Sequence, residues 1–165
     1  QEGSTPGGRI VINGNNLVDL AVIDDLYRAS EAGGKIDLIV RGICCLKPGV
    51  PELSEGIHVR SLIGHFLEHS RVFRFGDEGA HHILIGSSDL MPRNLDRRVE
   101  AVVPVVDPDL TREIDQFWNL ALVADTLAWA PGSGGTWKQV ATGHGPQTQA
   151  LRSRATLGLV AGDGG

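Results

Sequence analysis

The chain has 165 residues, 41% hydrophobic and 21% charged, with a net charge of −5. That length supports one domain with a sizeable core, and the composition is that of a folded soluble protein. The acidic balance excludes a polycation, so any polyanionic partner must be held by a local cluster of charge. No apolar run is long enough to span a bilayer, and no signal peptide is evident. Cys44 and Cys45 are the only cysteines and, being adjacent, are poorly placed to pair with each other. This pattern suits buried or half-buried thiols in a reducing compartment, and a cytoplasmic location is expected. The opening on Gln1, within a Gly/Ser/Pro stretch, reads as a fragment or a processed piece.

Residues 1–8 read as a linker. Arg9 to Ile12 is a short β-type run. From Leu17 to about Ala32 the apolar positions Val22, Ile23, Leu26 and Tyr27 follow helical spacing. Asn16 or Asp19 can cap that helix, and Gly33-Gly34 stops it. Lys35 to Arg41 is a near-continuous apolar strand of the kind buried in a sheet. Strand, helix and strand with short connections predict a parallel pair joined by a right-handed crossover. Arg41 then stands at the carboxyl end of its strand, where open α/β sheets place ligands.

Cys44 to Ile57 contains two prolines and two glycines and is read as a loop. Val59 to His69 is predicted as a helix, with Leu62, Ile63, Phe66 and Leu67 on one side. Arg71–Phe75 and His82–Ile85 are predicted strands joined by a turn over Gly76 to Gly79. Val99 to Val106 is a further strand. Asp109 to about Trp129 is the longest amphipathic helix, offering Ile114, Phe117, Leu120, Leu122 and Val123 to a sheet. Thr136 to Val140 is a last strand, and the domain is expected over residues 9–140. The tail, residues 141–165, is expected to be peripheral or disordered.

The chemistry concentrates between His65 and Glu100, HFLEHSRVFRFGDEGAHHILIGSSDLMPRNLDRRVE. His69-x-Arg71, followed across a hairpin by Gly86-Ser-Ser-Asp89, suits a phosphoryl group. Imidazole can donate to one oxygen, guanidinium can chelate two, and a Gly-Ser turn supplies N–H groups and a hydroxyl. Jointly the two motifs resemble the HxK…GSxN pattern of the phospholipase D superfamily, with Arg for Lys and Asp for Asn. If Asp96 to Ala101 runs extended, Arg98 and Glu100 share one face and Arg97 points away. A charged pair entering an apolar strand is costly to bury without partners, which makes Arg98 and Glu100 site candidates. Adjacent His81 and His82 would point to opposite faces of a strand and have no ligand-spaced partner, so no metal site is assigned.

Longer stretches, IDLIVRGICCLKPGVPELSEGIHVRSLIGHFLEHSRVFRFG and ILIGSSDLMPRNLDRRVE, are similar to the C-terminal catalytic domain of bacterial polyphosphate kinases. The resemblance implies an α/β, phospholipase D-like domain with a mixed β-sheet flanked by α-helices. It implies reversible transfer of the ATP γ-phosphate to polyphosphate, with ATP/ADP, inorganic polyphosphate, Mg²⁺ (with ATP) and the preceding polyphosphate kinase domains as partners. It further implies a homo-oligomeric full enzyme; no nucleic-acid partner and no integral membrane segment are expected. The phosphoryl-accepting histidine belongs to the preceding domain, so this segment alone is expected to be inactive. The motif match implies catalytic roles for His69, Glu100 and Arg98, and ATP or phosphate binding by Arg41, His69, Arg71 and Arg93. One departure stands out: the family pattern I-K-x-N reads Ile12-Asn13-Gly14-Asn15 here. Two other readings remain: a phospholipase D-type phosphodiesterase or nuclease acting as a dimer, and a non-catalytic nucleotide- or polyphosphate-binding module.

Overall fold

The run RIVING extends as β1 (Arg9–Gly14), with its β-branched residues fitting a pleated surface. The computed structural model describes residues 8–62, 69–77, 80–123, 128–131 and 136–140. The linker expected over residues 1–8, Gly8 apart, and the tail over 141–165 lie outside them. Helix α1 (Leu20–Glu31) is capped by Asp19, whose carboxylate accepts the Val22 N–H at 3.0 Å. Gly33, at φ +86°, turns the chain out of the helix into a conformation that a Cβ would strain. The chain returns as β2 (Lys35–Val40), parallel to β1.

The helix predicted from Val59 is corrected. Ile57 to Leu62 forms β3, parallel to β2, with inward and outward residues alternating strictly. Ile57 and Val59 are β-branched and both fall on the core face, so a period of two prevails over the helical spacing of the apolar residues that follow. The rest of that predicted helix, with Ile63, Phe66 and Leu67, lies outside the described residues up to His69, which itself has no regular secondary structure.

Strands β4 (Val72–Asp77) and β5 (Ala80–Gly86) form the expected antiparallel pair. A short helix α2 (Pro92–Arg97) follows, with proline in its first turn. The extended backbone anticipated from Asp96 therefore begins only at Arg98 (φ −125°, ψ 152°), and β6 is confined to Val102–Val105. Helix α3 (Pro108–Val123) starts at Asp107, whose carboxylate accepts the N–H groups of Asp109 and Leu110 at 2.8 and 3.1 Å. It does not reach Trp129. That residue lies in β7 (Ala128–Pro131), where laddering against β3 satisfies its backbone, and β8 (Trp137–Gln139) pairs on the far side.

The eight strands form one mixed sheet in the order β6-β5-β4-β1-β2-β3-β7-β8. Ile12, Ile36, Leu38, Val40, Ile57, Val59 and Phe73 pack against Ile23 and Leu26 of α1 on one face. Val11, Ile39, Val72 and Ile83 pack against Trp118 and Ala121 of α3 on the other. The protein is thus an α/β domain with a mixed sheet flanked by helices. Asn13, in place of the lysine of the family pattern, is buried within an intact β1, opposite Ile39 and Val72.

Strand direction then positions the site. β1, β2 and β3 run parallel; β4 opposes β1, β5 opposes β4 and β6 opposes β5. Consequently the ends of β1, β2 and β5 and the starts of β4 and β6 all emerge at one edge of the sheet.

Candidate active site

Asn15 and Asn16 leave β1 at this edge and organise it. Asn15 Nδ2 lies 3.1 Å from His69 Nδ1, while its backbone N–H donates to Asp89 Oδ1 at 3.0 Å. With the amide donating to Nδ1, a neutral His69 ring carries its proton on Nε2, directed away from the sheet support. The Asn15 carbonyl oxygen accepts the Gly42 N–H at 2.6 Å, and Asn16 Oδ1 accepts the Ile43 N–H at 3.0 Å. The segment after Arg41 is therefore laced to the segment before α1. Ser61 adds its hydroxyl to the Arg41 carbonyl at 3.3 Å, leaving the half-buried Arg41 side chain on a fixed backbone.

Gly42 is needed for this lacing. A Cβ there would lie 2.6 Å from the side-chain oxygen Asn16 Oδ1 and 2.7 Å from the Asn15 carbonyl oxygen, inside van der Waals contact, and the latter is backbone that cannot readily yield. Gly42→Ala should destabilise the fold by about 1–3 kcal/mol, the usual cost of overpacking. A urea titration reads it directly, and an unchanged midpoint would refute the tight approach.

Arg71 does not stand free. Its Nε and Nη2 hold Asp89 Oδ1 and Oδ2 at 3.2 and 3.0 Å, and its Nη1 donates to the His69 carbonyl at 3.0 Å. Both side chains are nearly buried, at 11% and 6% exposure. Burial works against a charged Asp89, but the Arg71 fork, the Asn15 N–H and the Asn16 amide outweigh it and hold the carboxyl below its ordinary range. The Gly86-Ser-Ser-Asp89 turn thus offers no open carboxylate: Asp89 is the anchor on which Arg71, and through it the His69 backbone, is fixed.

Glu100 occupies a second cluster. Ser87 Oγ donates to its Oε2, Asn94 Nδ2 to Oε1 at 2.7 Å, and Arg98 Nε lies 3.7 Å from Oε1. The Ser87 hydroxyl, then Asn94, lower the Glu100 pKa; slight desolvation opposes them, and the charges of Arg98 and Arg71 add to the lowering. Arg98 and Glu100 do share a face, although Arg98 is 60% exposed and escapes the burial cost anticipated for it. Arg93 and Arg97 are exposed on α2. The Ser87 hydroxyl, expected from its Gly-Ser turn to face a phosphoryl group, is turned to Glu100 instead, while Asn15, Asn16 and Asn94 went unremarked in the sequence as site residues. The one available signal was a polar Asn-Asn pair directly after an apolar strand, where such residues bond to nearby backbone.

Two half-buried or exposed cations, a histidine with one fixed nitrogen and a held carboxylate thus lie along the sheet edge at which the parallel strands β1 and β2 end, the position at which α/β sheets bind ligands. Among the described residues no group of three His, Cys, Asp or Glu side chains converges for a metal, and no helix is long and apolar enough to cross a membrane. Cys44 is half-buried, and its thiol pKa is pushed up by burial; Cys45 is exposed, contrary to the expected burial, because its loop carries it to the surface.

A family described as polyphosphate kinase C-terminal domain 2 matches residues 2–152. The chain belongs to the polyphosphate kinase family. Polyphosphate kinase 1 of Chlorobaculum tepidum is 52% identical over 134 residues, covering 81% of this chain and 19% of that protein. The chain therefore spans about a fifth of the length of that curated relative. The crystal structure of polyphosphate kinase from Porphyromonas gingivalis superposes with a TM-score of 0.86 at 40% identity, over 92% of this chain and 24% of that one. The phospholipase D family member Nuc of Salmonella typhimurium shares the fold alone, at a TM-score of 0.52 and 16% identity over 70% of this chain and 78% of that one. The phospholipase D-like architecture of this polyphosphate kinase domain follows from both likenesses.

Proposed function

We propose that this domain grips the phosphates of ATP during reversible transfer of the γ-phosphate to polyphosphate in the cytoplasm. The observation that carries the reading is the placement of Arg41, His69, Arg98 and Glu100 along one sheet edge in a chain of the polyphosphate kinase family. Phosphoryl transfer asks mainly for positioning and charge neutralisation. Arg41 and His69 hold β- and γ-phosphate oxygens while the bond from γ-phosphorus to its bridging oxygen breaks. A new phosphorus–nitrogen bond forms on a histidine of the preceding domain, as the resemblance implies. Glu100 steers Arg98 toward the phosphates, and Arg93 stands at the solvent rim of their path. Arg71, committed to Asp89, serves by fixing His69. Mg²⁺ comes as part of the ATP complex; the site's own carboxylates are engaged by Arg71, Ser87 and Asn94 and form no cage for it. Assembly as a homo-oligomer, without nucleic acid, completes the proposal.

The test exchanges the matching segment of the Chlorobaculum tepidum enzyme for this chain and measures ATP-dependent polyphosphate synthesis. Activity within about tenfold of the parent supports the proposal. A well-folded exchange enzyme that makes no polyphosphate but retains ATP would leave a binding module instead. In the active exchange enzyme, Arg98→Ala should cost far more than Arg97→Ala, since Arg97 ends α2 in solvent. Equal losses would overturn the assignment of Arg98.

A further inference from the structure

On the α3 face, away from this edge, a cavity of about 240 Å³ is lined by Arg9, Val11, Arg74, His81, Asp115, Trp118 and Asn119. Buried nitrogens without a hydrogen-bond partner collect there: Arg74 Nε, both ring nitrogens of His81 and Trp118 Nε1. Arg74 and Trp118 are 4% and 2% exposed, so water outside the cavity does not serve them. Asp115 comes within 3.3 Å of Arg74 Nε and 3.0 Å of His81 Nε2 without hydrogen-bond geometry to either, so it offsets the Arg74 charge while leaving that donor unsatisfied. Arg9 is turned to Asp37 by Nε and Nη2 at 3.1 and 2.9 Å and keeps its remaining N–H groups.

Buried polar groups normally find partners, and a cluster of them that does not calls for a guest. Guanidinium and indole nitrogens can only donate, so the guest must accept several hydrogen bonds at once. Two guanidiniums favour an oxyanion, whose charge-assisted bonds are about twice as strong as neutral ones. Asp115 opposes an anion, but Arg74 beside it offsets that charge, and Asp37 bonds Arg9 rather than the cavity donors. We propose that this cavity is a phosphate-oxyanion site, separate from the Arg41–His69 edge. Arg9 and Asn15 stand six residues apart on and just beyond β1, which at about 3.3 Å per residue sets the two sites roughly 20 Å apart. The guest is either orthophosphate or the terminal phosphate of a polyphosphate chain.

Equilibrium dialysis of the whole 165-residue chain carrying Arg41→Ala and His69→Ala, against labelled orthophosphate and separately against labelled polyphosphate, tests the site. Binding of about one equivalent, weakened at least about tenfold by Arg74→Met and severalfold by Trp118→Phe, supports it. Trp118→Phe keeps most of the core volume, so it remains informative if Arg74→Met fails to fold. Saturation by orthophosphate identifies the free ion as guest; saturation by polyphosphate alone identifies the chain terminus. No binding of either, or binding untouched by Trp118→Phe, overturns the proposal.

Discussion

His69→Ala in the exchange enzyme is expected to lower the rate of polyphosphate synthesis by about 100-fold or more while the melting temperature stays within a few degrees. Removing one positioned donor from a transferring oxyanion typically costs that much. The fold should tolerate the change, because His69 lies in irregular backbone and its ring, among the described residues, is held by a hydrogen bond from Asn15 Nδ2. His69→Gln keeps a donor of similar reach and should recover part of the loss. A parent-like rate for His69→Ala, measured under saturating ATP, would remove His69 from the mechanism.

Asp89→Ala should instead act on stability. It strands the Arg71 guanidinium, buried to 11% exposure, and releases the Asn15 N–H and Asn16 amide together. Breaking one side of such a pair costs about 3 kcal/mol, equivalent to a fall in Tm of about 10 °C for a domain of this size. The pH dependence has a definite sign. Asp89 holds its proton less tightly folded than unfolded, so its stabilisation is complete above the ordinary value of 3.8 and drains away as pH falls through the depressed one. Asp89→Asn should flatten that acid limb. Calorimetry from pH 7 to pH 3, showing parallel curves for parent and variant, would contradict the role given to the pair.

The parts of the fold that could be read from sequence were those where local pattern and tertiary context agree. Asp19, the apolar run of β2 and the hairpin around Gly76 each carry their own signal. Residues 57–62 do not, because Ile57-His-Val59-Arg-Ser-Leu62 reads as a strand only when β2 is known to lie beside it. The same holds for β7, whose Trp129 continues an apolar helical pattern until Ser61 offers a ladder partner. The cations of the site were legible through motif and resemblance. Their supports were not: Asn15, Asn16 and Asn94 gain meaning only once distant strand ends meet, Asn15 and Asp89 being 74 positions apart in the chain. Arg71 illustrates the difference, since its motif position suggests a phosphate contact, whereas its bonds to Asp89 and to the His69 carbonyl emerge only in the structure. Likewise Arg74 and His81 look like routine strand residues until α3 buries them beside Trp118.

The most direct measurement is isothermal titration of this chain with ATP–Mg²⁺ and with a defined polyphosphate, at two salt concentrations. The account predicts ATP binding that weakens as salt rises, as expected for cation–phosphate contacts, and disappears in the Arg41→Ala, His69→Ala double variant. ATP binding that is insensitive to salt and unchanged in that variant would contradict it.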